Sequence, residues 1–212
     1  MKKLFFIASI FLSYALHAQK TIDDQLHGWV VYQGNHKLNE QWDLHTEYQW
    51  RRADGFADWQ QSLTRVGLDY KLNPNCTVSG GYAWVVSYPY GSQPIANRTN
   101  ENRIWQQVIL KQPIGNLQVQ HRYRLEQRWI DTQFKQRIRY RAQCIIPLQK
   151  TYLEQSKGLF MNVNDEVFLG FGKDIGKNIL DQNRFVVALG YKVNPNFNFQ
   201  MGYLNQFVVK SN

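Results

Sequence analysis

The chain has 212 residues, a length that predicts one domain, and no run of eighteen or more apolar residues follows its amino-terminal segment. This excludes a protein that spans a membrane with helices, but not a barrel whose strands alternate polar and apolar side chains. The formal charge of +9 is compatible with binding to nucleic acid, with binding to an acidic surface, or with simple solubility. Aromatic residues make up 15% of the chain, with 7 Trp and 12 Tyr, an excess that favours interfacial belts.

The amino-terminal segment, residues 1–18, predicts a secretory signal peptide. Two lysines open it, an apolar stretch follows, and Leu16-His17-Ala18 forms an acceptable cleavage site. A first core strand or helix is the alternative interpretation. Export across the inner membrane argues against nucleic acid as a partner, and residues 19–212 are predicted to form a single β-barrel domain.

Beyond the leader, apolar and polar residues alternate with a period of two, which predicts strands. Ten strands are predicted, over residues 27–33, 41–50, 59–71, 76–87, 102–111, 117–129, 134–146, 158–171, 184–193 and 197–209. Short turns, among them Gly34–Lys37 and two Asn-Pro-Asn segments, alternate with longer loops at 51–58, 88–101 and 173–183, although the connection at 147–157 breaks this trend. We therefore expect an all-β, up-and-down antiparallel barrel of ten to twelve strands, of the outer-membrane type.

The two strands over 117–129 and 134–146 carry the strongest pattern. One face of each is mostly apolar and aromatic, and the other is polar and mostly cationic. Because the strands are expected to pair as a hairpin, their cationic faces lie side by side and repel each other unless water, acids of other strands or a bound anion offset the charge. The predicted charge cluster in the barrel lumen consists of Arg122, Arg124, Arg128, Lys135, Arg137, Arg139, Arg141, Glu126, Glu47 and Glu166.

The alternation fits two physical settings. In a membrane barrel the cationic face lines the lumen and the apolar face meets lipid, whereas in a soluble secreted or periplasmic barrel the apolar face is the core. Strand lengths of about ten to fourteen residues, aromatic residues toward the strand ends, a polar face that mixes Arg with Gln, Asn and Glu, and the leader all favour the membrane. The outer membrane is therefore the predicted location, and its lipid bilayer the predicted partner.

Several motifs occur in an order that is more specific than any one of them alone. They are WDLHTEYQWR, GLDYKLNPN, NENRIWQQ, RYRLEQRW, RIRYR, NDEVFLGFG and DQNR, followed by a second NPN hairpin and GYLNQF. In these the chain resembles small Gram-negative outer-membrane-type β-barrel proteins known only as a domain of unknown function. The resemblance implies the fold and the outer membrane, and it supplies no activity. One departure is the end of the chain, VVKSN, where such barrels usually carry a terminal aromatic residue, so a last strand is expected to be missing or its signal to differ.

No residue spacing is diagnostic of catalysis, so no catalytic residue is predicted. His45 and Glu47 share a face, which keeps an outer-membrane enzyme acting on lipid as one alternative. The five histidines are scattered without an HxxxH or CxxC motif, so neither a metal nor another cofactor is predicted. Cys76 and Cys144 are expected to be small apolar side chains, and nothing supports a disulfide between them.

The expected function is therefore that of an outer-membrane barrel with a structural or binding role. Its arginines are predicted to pair with acids and fill a narrow lumen. The predicted acids are Glu47, Glu126, Glu166, Asp43 and Asp69. The alternatives are a pore that prefers small anions, the lipid-modifying enzyme, and a soluble periplasmic barrel that binds an anionic ligand.

Overall fold

The computed structural model describes residues 26–88, 97–172 and 179–209. The predicted signal peptide lies outside these residues, as do parts of the two longest predicted loops. No helix in the described ranges is long and apolar enough to cross a membrane.

Ten strands form one antiparallel sheet in which each strand pairs with the next along the chain. They are β1 (Gly28–Lys37), β2 (Trp42–Ala53), β3 (Asp58–Asn73), β4 (Cys76–Ser87), β5 (Thr99–Ile114), β6 (Leu117–Ile130), β7 (Gln133–Pro147), β8 (Gly158–Phe171), β9 (Leu180–Asn194) and β10 (Phe197–Val208), with one short helix, α1 (Lys150–Glu154), between β7 and β8. The prediction of an all-β, up-and-down antiparallel fold is confirmed. The sheet curls into a half-barrel, so that the guanidinium of Arg184 in β9 lies 5.1 Å from the ring of Trp29 in β1.

The prediction of a turn at Gly34–Lys37 was wrong, because β1 continues to Lys37 and the chain reverses over residues 38–41. The side chain of Asn39 sets this position, since its oxygen accepts the backbone N–H groups of Gln41 and Trp42, each at 2.9 Å. The predicted loop at 51–58 is likewise shorter, and the connection at 147–157 contains α1.

The two Asn-Pro-Asn turns behave as the repeated motif suggests. In both, the side-chain oxygen of the first asparagine accepts the backbone N–H of the second at 2.9 Å, in Asn73–Asn75 and in Asn194–Asn196. These turns lie at one end of the sheet with residues 38–41, 115–116 and 148–157, and we call it the turn end. The opposite end, which carries residues 54–57, 131–132, and the β4–β5 and β8–β9 connections, is the loop end.

Burial along the strands is the reverse of that in a water-soluble sheet. In β3, Arg65 and Asp69 are buried, whereas the intervening Val66 and Leu68 are each 45% exposed. Over the described residues, 19 buried side chains are polar or charged and only 9 are hydrophobic, while 36 large hydrophobic side chains are exposed. The concave face of the half-barrel is therefore a polar interior, and the convex face is an apolar surface.

Candidate functional site

The hairpin of β6 and β7 brings the predicted cations together in the interior. The two strands pair in register, so that cations face cations on three of four neighbouring levels and an acid faces a cation on the fourth. The pairs are Arg122 with Arg141, Arg124 with Arg139, Glu126 with Arg137, and Arg128 with Lys135. The fold therefore places like charges next to each other, as expected from the sequence, and neighbouring carboxylates have to offset their repulsion.

Glu126 is the carboxylate that the guanidinium groups in the middle of the interior surround. Its side chain is fully buried and accepts hydrogen bonds from Arg137 Nε at 3.0 Å, Arg137 Nη2 at 2.7 Å and Arg139 Nη1 at 2.6 Å. Arg103 Nη1 and Arg124 Nη1 lie 3.7 Å and 4.0 Å from its Oε1 atom. One negative charge therefore stands among four guanidinium groups.

Two further carboxylates extend the network across the half-barrel. Glu166 of β8 accepts from Arg122 Nη2 at 2.5 Å and from Arg139 Nε at 2.9 Å. On the other side, Glu47 of β2 is paired with Arg65 of β3 through a short contact between Oε2 and Nη1. All five side chains are buried, so these contacts form in a region of low dielectric constant where ion pairs are strong and unpaired charge is costly.

Toward the loop end, Glu101 of β5 holds two arginines at once. It accepts from Arg103 Nε at 2.6 Å and Arg128 Nε at 2.5 Å, with a second hydrogen bond to each guanidinium at 2.9 Å and 3.0 Å. Asp181 of β9 adds one ion pair, at 2.8 Å from Arg137 Nη1. The paired hydrogen bonds from Glu101 fix Arg103 and Arg128 in position at this end.

The other predicted residues have more peripheral places. Lys135 is half-buried at the loop end opposite Arg128. Arg141 is half-buried, and its Nε atom is buried with no hydrogen-bond partner in the described part of the chain. Asp43 and Asp69 do not pair with arginines as predicted, because they face each other near the turn end; Asp43 pairs with Lys71 at 2.7 Å, and Asp69 lies 3.7 Å from His45.

Trp105 of β5 is the largest interior side chain that the sequence did not indicate. It is fully buried, with Arg65 and Arg124 at 5.7 Å and 5.2 Å from its ring. The ring fits over Gly67 and Gly81, where an added Cβ atom would come within 2.5 Å and 2.9 Å of it. These glycines provide the space in which the tryptophan and its two arginines stack.

A cavity of about 160 Å³ lies at the loop end of the interior. Its described wall is formed by β2, β3, β5, β6, β7, β9 and β10. Fourteen of the described residues line it, of which seven are arginines and one, Asp181, is an acid. The arginines are Arg51, Arg65, Arg103, Arg128, Arg137, Arg139 and Arg184. Only Arg128, Arg137 and Arg139 of these belong to the predicted cluster. The polar alternation of β2, β3 and β5 would have indicated Arg51, Arg65 and Arg103.

The residues considered for other chemistry are arranged as structural groups. His45 is buried, with Nδ1 3.1 Å from Asn35 Oδ1 and Nε2 3.6 Å from Glu47 Oε2, and no hydroxyl or thiol in the described ranges is hydrogen-bonded to it. His121 stacks on Tyr140 away from the interior network. Cys76 and Cys144 are free and half-buried. No group of three or more His, Cys, Asp or Glu residues suited to a metal ion occurs among the residues that the structure describes.

The model of a family described as "Protein of unknown function (DUF2490)" matches residues 26–212. No curated protein matches the chain. No solved structure matches it either. The resemblance to a family known only as a domain of unknown function is confirmed, and the outer-membrane location that went with it stays a prediction.

Proposed function

The chain belongs to the DUF2490 family of proteins of unknown function, so its role has to come from its own geometry, and we propose that it is an outer-membrane β-barrel whose lumen is filled by the arginine–carboxylate network. Its role is structural or binding in this proposal, and not that of an open pore. The supporting observation is the inverted burial of the strands, with charged side chains inside and apolar side chains outside.

Lipid as the surrounding solvent explains this inversion. Water-soluble monomers rarely expose contiguous apolar patches above a few hundred Å², yet from β2 to β10 the convex face here carries most of the large hydrophobic side chains of each strand. In a bilayer those side chains are favourably placed, and the charged groups are sheltered in the interior, where they satisfy one another. A soluble barrel with the same sheet would need an apolar core that this interior lacks.

The aromatic residues form belts at both ends of the convex face. Trp50 packs against Trp59 at the loop end with ring centroids 6.2 Å apart, and Trp42 packs against Tyr70 at the turn end at 4.7 Å. A bulge in the β2–β3 register brings Trp59 onto the same face as Tyr70. The eleven-residue span of β3 between them is about 36 Å long at about 3.3 Å per residue, and a tilt of about 45° reduces it to about 26 Å, close to the apolar band of roughly 25 Å in such barrels.

The middle of the interior favours a filled lumen over a pore. Glu126 is fully buried and Arg124 is only 2% exposed, and Trp105 occupies the space between Arg65 and Arg124. Small barrels have interiors that side chains can fill, and here ion pairs fill it across β2, β3, β5, β6, β7 and β8. An ion that crossed this layer would have to displace ion pairs that hold each other in place.

Cell fractionation of the full-length gene product in a Gram-negative host tests the proposal. We expect the protein in the outer-membrane fraction. We also expect the unboiled sample to migrate differently from the boiled sample on SDS gels, because a barrel that closes in the membrane between β1 and β10 resists SDS at room temperature. A soluble periplasmic protein with no heat-dependent shift would refute it. Reconstitution into planar bilayers then separates a filled lumen from a pore: sustained, anion-selective current steps would support the pore.

A further inference from the structure

We propose that the cavity at the loop end is a binding site for a phosphate group, either as free phosphate or as a phosphate monoester. This site is a property of the described interior, and it does not depend on the protein being in a membrane. Three observations carry it: the charge balance of the network, unpartnered donors at the cavity wall, and the size of the space.

Among the described residues, positive charge exceeds negative charge in the network that builds the cavity. Seven arginines of the described residues share five carboxylates within 4.0 Å, and Glu101, Glu126 and Glu166 each serve two or more guanidinium groups. Buried positive charge that is not balanced is costly, so a bound anion stabilises this arrangement. The excess is accessible from the loop end, where the side chain of Asp181 is 35% exposed.

The cavity wall keeps hydrogen-bond donors for such an anion. Arg65 is 3% exposed, and its Nε atom is buried with no hydrogen-bond partner in the described part of the chain. Arg137 uses three N–H groups toward Glu126 and Asp181, out of the five that a guanidinium carries. Planar guanidinium groups bind phosphate oxygens in pairs, which favours this class of anion over a spherical one.

The size of the space points to a ligand of several atoms. The cavity volume of about 160 Å³ is more than ten times the roughly 10–15 Å³ that one water molecule requires. Arginines from β2, β3, β5, β6, β7 and β9 surround it, so the oxygens of a tetrahedral group can be contacted from several directions at once. A single chloride ion would reach only a part of this wall.

Binding to the purified full-length protein in detergent micelles tests the site by calorimetry, with inorganic phosphate, glycerol 3-phosphate and chloride as probes. We expect saturable binding of phosphate or its monoester and a rise of the unfolding temperature with concentration, but no comparable effect of chloride at the same ionic strength. Tighter binding of glycerol 3-phosphate assigns the site to an esterified group, and tighter binding of phosphate assigns it to the free ion. Absence of saturable binding by both phosphate probes would overturn the proposal.

Two neighbouring arginines provide a matched pair of variants. Arg51 lines the cavity, whereas Arg52 points to the other face and donates to the backbone oxygens of Phe56 and Ala57. We expect Arg51→Gln to weaken phosphate binding about tenfold or more, since a charge-assisted contact is lost, and Arg52→Gln to bind as the wild type does. Equal affinities for the two variants would overturn the proposal.

A third variant keeps every arginine in place. Gln182 is buried at the cavity wall and accepts a hydrogen bond from Gln206, so Gln182→Glu preserves shape and acceptor while adding a negative charge. We expect it to raise the unfolding temperature without phosphate and to reduce phosphate binding about tenfold or more, since the built-in carboxylate takes over the role of the anion. Unchanged phosphate binding in this variant would contradict the assignment of the cavity.

Discussion

Replacing Glu126 by glutamine removes the negative charge at the centre of the network. The carboxylate accepts three charge-assisted hydrogen bonds from Arg137 and Arg139 and lies within 4.0 Å of Arg103 and Arg124. The amide of glutamine keeps one oxygen that accepts, but it loses the charge and places an NH₂ group against a guanidinium. Removing one partner of a buried ion pair costs roughly 3–5 kcal/mol. We therefore expect Glu126→Gln to lower the free energy of unfolding by about 4 kcal/mol.

Denaturant unfolding in detergent or lipid vesicles, followed by the heat-dependent gel shift, measures this change. Glu40→Gln is the control, since Glu40 forms an exposed ion pair with Lys37, and we expect it to unfold at the wild-type denaturant concentration. The double variant Glu126→Gln/Arg137→Gln should recover part of the loss, because it also removes a buried cation that would keep Asp181 as its one carboxylate partner among the described residues. A Glu126→Gln variant as stable as the wild type would refute the conclusion that this carboxylate holds the interior together.

Three other changes test the convex face, the interior and the turn between β5 and β6. Val66→Arg places a charge at mid-strand on the convex face, so we expect a loss of roughly 2–4 kcal/mol in vesicles; an unchanged unfolding midpoint would argue against contact with lipid. Gly67→Ala should abolish the heat-dependent gel shift, because its Cβ atom would lie 2.5 Å from Trp105 and 2.6 Å from a backbone oxygen. Gly115→Ala, in open space with φ of 58°, should cost only about 1–2 kcal/mol in the same denaturation assay.

The alternation of polar and apolar residues was enough to predict the sheet, and the reason is the geometry of a strand. Side chains of β6 and β7 point to opposite faces in turn, so the arginines had to fall on one face of a hairpin. The last residues of the strands were less predictable, because they depend on turn contacts. Asn39 provides an example, since its side chain fixes the β1–β2 turn five residues beyond the turn-like Gly34.

The interior partners could not be predicted in the same way. Which arginine meets which carboxylate depends on strand register and on the side chains that fill the space between strands. Trp105 shows this most clearly, because a large apolar ring on the polar face weakened the alternation of β5, and its fit depends on Gly67 and Gly81 of two other strands. The cavity was also hidden, since it forms only where the ends of seven strands meet.

Charge along the interior changes from one end to the other, and this bears on the choice between a binding site and a pore. Arg51 lies at the loop end, Glu126 stands in the middle, and Asp43 and Asp69 face each other at the turn end, beside Lys71 and His45. An anion drawn to the loop end would therefore meet Asp43 and Asp69 if it passed through to the turn end, and a cation entering at the loop end would meet arginines first. Neither sign of charge has a favourable path through the interior. The arginines at the loop end and the acids at the turn end favour a protein that retains an anion at one end of a filled barrel over a protein that conducts the anion.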